Sequence, residues 1–231
     1  MSVQQSEWDD SYKKKDNFVF YPHEEVIRFV SKYIRKRIGL HEFRDVAADA
    51  SSAKILDFGC GIGRHVIFCH ELGLSAYGID LSQEAINVAL QWTDEKGLRE
   101  QKKVIVQGDV RHLPWDEGFF DFALSHGVLD SMHFDVAKQA CAEVARVMKK
   151  GGLFYCDLVS GDDSSHAREF AEEEIVTTEH ETGTIQSYFN YSKLVALISD
   201  YFDIVECKLI RNENVHNGIF ISRWHLVLKN K

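Results

Sequence analysis

From residue 53 to residue 159 the chain alternates short apolar runs with longer amphipathic stretches. The short runs, 53–57, 75–79, 103–107, 120–125 and 153–159, have strand length. Near-continuous apolar strands are those buried on both faces of a parallel sheet. The longer stretches predict helices from Arg64 to Leu72, Gln83 to Lys96 and Asp135 to Lys149. In the last of these, positions 137, 140, 141, 144, 147 and 148 make one apolar face. Ser82 and Asp135 are placed as N-caps, and Gly73 and Gly151-Gly152 as helix ends.

The flanks read differently. Residues 1 to 22 are aromatic and charged, and a helix is expected from His23 to about Ile38, with Val26, Val30, Tyr33 and Ile34 on one face and Gly39 ending it. Residues 41–52 read as a polar loop. Residues 160–190 break the alternation and are expected to form an inserted lid or hairpin. A helix from Ser192 to Asp200 and two strands, 202–211 and 219–229, complete the chain. Strand–helix alternation of this kind predicts an α/β fold with right-handed crossovers.

Composition narrows the class. The 231 residues carry a formal net charge of −9, which disfavours a nucleic-acid partner, since phosphate binding relies on a basic surface. The basic stretches Lys13-Lys14-Lys15 and Arg35-Lys36-Arg37 are short. No apolar run approaches the roughly 20 residues of a membrane span, and no secretory signal is seen. Five cysteines without a CxxC pair argue against zinc or a disulfide framework and for a cytoplasmic protein.

The chemistry is concentrated at the strand ends. Lys54-Ile55-Leu56-Asp57 runs into a loop with Gly59, Cys60, Gly61 and Gly63, and a second strand ends at Asp80. Such glycines let backbone approach a ligand, and an acid about 20 residues further on can accept from a ribose diol. The G-x-G-x-G spacing departs from the dinucleotide fingerprint, because Arg64 stands where its third glycine would be. Together with Gly108-Asp109-Val110, Leu113-Pro114-Trp115, Phe120-Asp121-Phe122 and Val147-Met148-Lys149-Lys150-Gly151-Gly152, the pattern resembles the class I S-adenosylmethionine-dependent methyltransferases over roughly residues 53–229. Lys150 replaces the proline usual in the last motif.

That resemblance implies a Rossmann-like, doubly wound, seven-stranded, mostly parallel sheet with an antiparallel terminal strand. Residues 1–52 would form a helical cap over the cofactor site, and 53–231 the cofactor-binding domain. For S-adenosylmethionine it implies Asp57, Gly59, Cys60 and Gly61 at the amino-acid end, Asp80 on the ribose, Leu81 against adenine, and Asp109 and Val110 on the adenine edge. Ser125 and His126 would border the transferred methyl. His126 and His133 are the candidate bases, or simply packing groups. Trp8-Asp9-Asp10-Ser11-Tyr12 matches a W-[DN]-x-x-[YF] pattern, so Trp8 and Tyr12 either close over the cofactor or anchor a terminal helix. Tyr21, Arg28 and His133 are expected to wall the acceptor pocket, with no metal. The implied reaction is methylation of a small molecule. A protein or RNA methyltransferase, a catalytically silent binding subunit and a dehydrogenase are the rivals, and the oligomeric state stays open.

Overall fold

The computed structural model describes residues 3–15, 17–98 and 104–231. Its centre is a seven-stranded sheet. In chain order the strands are β3 (Lys54–Phe58), β4 (Ser75–Asp80), β5 (Ile105–Gln107), β6 (Phe120–Leu124), β7 (Met148–Val159), β10 (Phe202–Asn214) and β11 (Ile219–Asn230). Their spatial order is β10-β11-β7-β6-β3-β4-β5. Pairs β5–β4, β4–β3, β3–β6 and β6–β7 are parallel, while β11 runs against both neighbours, β7 and β10. Lys103, the first residue of the strand expected over 103–107, lies outside the described residues.

Helices cover both faces. On one side α2 (Glu24–Tyr33), α3 (Arg64–Glu71) and α4 (Gln83–Glu95) bury Val26, Phe29, Val30, Val66, Cys69, Ile86 and Ala89 against Ile55, Ala76 and Tyr155. On the other, α5 (Phe134–Val147) and α6 (Tyr191–Ile198) bury Ala137, Ala140, Cys141, Val144, Leu194 and Ile198 against Leu56, Phe154 and Leu226. The chain winds from β3 outward to β4 and β5, then returns to β6 on the other side. The strand order therefore reverses beside β3, where open α/β sheets form their crevice.

Three expected boundaries move, each through a tertiary contact. Helix α2 stops at Tyr33, and residues 35–37 turn into a strand, β1 (Arg35–Arg37), paired with β2 (Phe43–Asp45). Arg35 is held by Asp45 (2.5 Å) and by the carbonyls of Leu72 and Gly73, which end α3 (3.1 and 3.2 Å). Gly39 sits in the loop of this hairpin rather than at a helix end. Asp135 lies inside α5 instead of capping it: Glu173 accepts from the Phe134 amide (2.6 Å), a cap supplied from another part of the chain. At its other end α5 finishes at Val147, where Asn230 donates to the carbonyls of Ala145 and Met148 (2.9 and 3.0 Å), and β7 starts at once. Gly151-Gly152 thus belong to the strand. A Cβ on Gly152 would stand 2.7 Å from the Asp121 carbonyl.

The 160–190 segment holds an antiparallel pair, β8 (Glu173–Ile175) and β9 (Ile185–Ser187), with a 3₁₀ turn at Glu179–Glu181 between them. The N-terminal helix α1 (Val3–Lys14) packs against α4 and against that turn.

Candidate functional site

The pocket opens over the ends of β3, β4, β5 and β6. Its wall includes Trp8 and Tyr12 of α1, Gly59, Asp80, Leu81, Asp109, Val110 and His126. An adjoining cleft shares Trp8, Tyr12, Gly59 and His126 and adds Cys60, Gly61, Arg64 and His65. Ten of the residues singled out in the sequence therefore meet in one place.

The glycine loop makes this possible. Gly59, Gly61 and Gly63 all have positive φ (+72°, +52° and +83°), which L side chains rarely adopt. A Cβ on Gly59 would stand 2.4 Å from Val128 Cγ2, and one on Gly61 2.6 Å from the Tyr12 hydroxyl. Gly59→Ala is expected to cost about 1–3 kcal/mol in strain and to abolish nucleoside binding. Urea unfolding and ligand titration of the variant check this, and near-native values in both would refute it.

Asp80 ends β4 with both oxygens engaged. One accepts from the Gly61 amide (2.8 Å) and the other from the Ser82 amide (2.9 Å). Burial pushes its carboxyl up to about 6, against those two amides. Asp109 is gripped by Arg111 through its backbone amide (2.9 Å) and its guanidinium (2.5 Å), which holds it below the usual carboxylate range. Asp57 is buried under the loop with Oδ1 3.6 Å from His65, and its Oδ2 has no hydrogen-bond partner among the described residues.

His126 is a neutral wall group. Its Nδ1 accepts from Arg64 (3.2 Å), because a guanidinium can only donate. The proton therefore sits on Nε2, 3.5 Å from Asp157 but without hydrogen-bond alignment. Burial, against the pull of Asp157, lowers its pKa to about 3. No lone pair is left to take a proton. Beneath it, Arg223 joins two buried carboxylates, Asp157 (2.7 Å) and Asp130 (2.6 Å), and the Gly127 amide donates to Asp157 (2.8 Å).

Four expected wall residues are placed elsewhere. Ser125 is buried behind the pocket, its amide paired with the Tyr155 carbonyl. His133 is half-exposed and bound to Glu173 (2.5 Å), at the N-terminus of α5. Tyr21 is 81% exposed and offers only its carbonyl, to Arg64. Arg28 pairs with Glu24 and Glu25 in a separate cleft near Tyr155 and His225. Local sequence could not foresee these, since each depends on which way its element faces.

Sequence reasoning gave no role to Asp9, although it stands in the Trp8–Tyr12 pattern. It is buried, and its Oδ1 accepts from the Ser82 hydroxyl (2.6 Å) and the Glu84 amide (3.3 Å). Since Ser82 caps α4 by accepting from Ala85 (3.2 Å), Asp9 fastens α1 to the turn that carries Asp80. Asp9→Ala should cost about 1–3 kcal/mol and expose the first helix to protease. Unaltered cleavage within α1 would show that the latch does not hold it.

Among the described residues no group of three or more His, Cys, Asp or Glu is arranged to hold a metal. None of their helices is long and apolar enough to cross a membrane.

Residues 56–156 match the family described as a methyltransferase domain. The mitochondrial 2-methoxy-6-polyprenyl-1,4-benzoquinol methylase of Arabidopsis thaliana is 34% identical over 82 residues, 35% of this chain and 27% of that protein. An uncharacterized methyltransferase of Bacillus subtilis, YcgJ, is 30% identical over 101 residues, 44% of this chain and 38% of that one. The alignments thus span well under half the length of these relatives. The fold matches 1,6-didemethyltoxoflavin-N1-methyltransferase of Burkholderia thailandensis, solved with 1,6-didemethyltoxoflavin and S-adenosylhomocysteine. The TM-score is 0.64 at 16% identity, covering 98% of this chain and 87% of that one.

Proposed function

This chain carries a class I S-adenosylmethionine-dependent methyltransferase domain, and from that premise we propose that it transfers a methyl group from this cofactor to a small-molecule acceptor. The observation that carries the reading is the pairing of Asp80 with the Gly61 loop inside a pocket roofed by α1.

The residues fit the cofactor. Asp80 presents its carboxylate to a ribose diol, Leu81 and Val110 flank a purine, and Asp109 accepts from an exocyclic amine. Asp57 Oδ2, buried without a partner, suits the ammonium of the amino-acid end. Bound there, the sulfonium supplies an electrophilic methyl. The protein aligns the acceptor and keeps water out, through Trp8 and Tyr12 above and His126 beside. Because His126 has no free lone pair, acceptors that need no proton removed by this residue are favoured. A small acceptor is supported by the roofed pocket, by the net charge of −9, and by relatives named for benzoquinol and sterol substrates.

Calorimetric titration with S-adenosylmethionine, S-adenosylhomocysteine and NAD tests the reading. Micromolar binding of the first two without NAD is expected. Binding of NAD alone would overturn it.

A further inference from the structure

We propose that the outer edge of β10 is a dimer interface, and that its partner is the same edge of a second copy of this chain, paired antiparallel about Cys207. This edge lies at the opposite end of the sheet from β5, away from the cofactor pocket, so it does not depend on the methyl-transfer reading.

Strand β10 runs from Phe202 to Asn214 and, among the described residues, pairs only with β11. On its other side no backbone hydrogen bond from another described element reaches 203–213. A long open edge is a template for another strand, and charges and bulges are what usually guard it. Both are present: Asp203, Glu206, Lys208, Arg211 and Glu213 lie along β10, and its register shifts between Ile204 and Glu206. Yet Ile204, Val205, Leu209 and Ile210 are exposed there as well. An edge that carries both signs of charge and exposed apolar groups selects a partner by the order of its residues.

That order is self-complementary. Residues opposite one another in a sheet share a face. Ile204, Cys207 and Leu209 stand opposite Leu228, Leu226 and Trp224, on the side covered by α5 and α6. Glu206 and Lys208 stand opposite Val227 and His225, on the side of α2. A two-fold axis through Cys207, perpendicular to the sheet, keeps each face with itself. It sets Cys207 against its own copy, and Glu206 against Lys208 of the partner subunit, twice. The bulge leaves Val205 over, so Ile204 falls opposite Leu209 of the partner subunit, also twice. Opposite charges and apolar residues facing across strands favour pairing. The Lys208–Glu206 pair within each chain (3.2 Å) then becomes part of a four-charge cluster of alternating sign. Centring the axis on Asn212 also matches Arg211 with Glu213. It sets Ile210 against Asn214, however, and Arg211 is already stacked on Phe220 (3.4 Å).

Cys207 makes the register measurable. Directly opposite Cα atoms lie about 4.5–5.5 Å apart, within the span of a disulfide. Cys60, Cys69, Cys141 and Cys156 are buried. The full chain is sedimented over a range of concentrations, first reduced and then treated with diamide, which takes up the two thiol hydrogens as the S–S bond forms. A concentration-dependent dimer is expected, locked by a Cys207–Cys207 disulfide that peptide mapping identifies. Cys207→Ser should keep the dimer and lose the crosslink. Lys208→Glu, at an exposed position, sets carboxylates against each other in both pairs. It should weaken the dimer about tenfold or more and suppress the crosslink. A monomer at every concentration overturns the proposal. So does a dimer that diamide fails to lock through Cys207, or one that Lys208→Glu leaves intact.

Discussion

Asp80→Ala is expected to weaken S-adenosylmethionine binding by about 1–3 kcal/mol, roughly five- to 150-fold in Kd. The carboxylate serves two purposes. It pins the Gly61 and Ser82 amides, so its loss leaves two backbone donors without acceptors and loosens the loop the ligand lies on. It also leaves a ribose diol unpaired. Asp80→Asn preserves shape but can accept with only one oxygen, and should fall between.

The pH dependence gives a second readout. The carboxyl lies at about 6, above its ordinary 3.8, because it is buried. Only the ionised form accepts from both amides and the diol, so affinity should fall as pH drops through about 6. For stability the sign is opposite. The folded-state value exceeds the unfolded one, so folding favours the protonated form. This group's contribution to the ligand-free protein is fully present below about 4 and is lost as pH rises through about 6. Both trends should vanish in Asp80→Asn. An Asp80→Ala protein that binds the cofactor normally would remove Asp80 from the ribose role.

Arg223→Met should destabilise the fold by about 3–5 kcal/mol near neutral pH, the largest stability loss expected of a single change here. It strips the cation from two buried carboxylates. In the native protein burial alone would raise Asp157, but Arg223 and then His126 outweigh it and hold it at about 2. Asp130 is pushed up by burial despite the same arginine. The stabilisation from Asp157 is thus present above about 4 and lost as pH falls toward 2. Without the arginine, burial prevails and the carboxylates take up protons at higher pH. The deficit measured by urea unfolding should therefore shrink between pH 7 and pH 5. An equal deficit at both would mean that packing, not charge, explains the loss.

The network is also where sequence and structure part. Asp157 interrupts the apolar run of β7 and Arg223 that of β11. A lone charge in an otherwise apolar strand is a signal that it has a partner, since such groups are almost never buried unpaired. The partner, though, lies 66 positions away across an antiparallel pair, and nothing local names it.

The sequence by itself determined the alternation of strand and helix, the glycine loop and the acids at the ends of β3 and β4. These depend on periods of two and 3.6 residues and on φ values that glycine alone adopts freely. They are properties of short segments. It also brought Trp8 and Tyr12 to notice through their spacing. The tertiary structure alone decided the rest. Glu173 caps α5, Asn230 ends it, and Arg35 anchors the hairpin that follows α2, each through contacts made across the fold. Tyr21, Arg28 and His133 stand outside the pocket lining: Tyr21 is exposed, Arg28 pairs with Glu24 and Glu25, and His133 is held by Glu173. The state of His126 follows from Arg64 on one side and Asp157 on the other. A histidine's basicity belongs to its surroundings, and those exist only once the chain has folded.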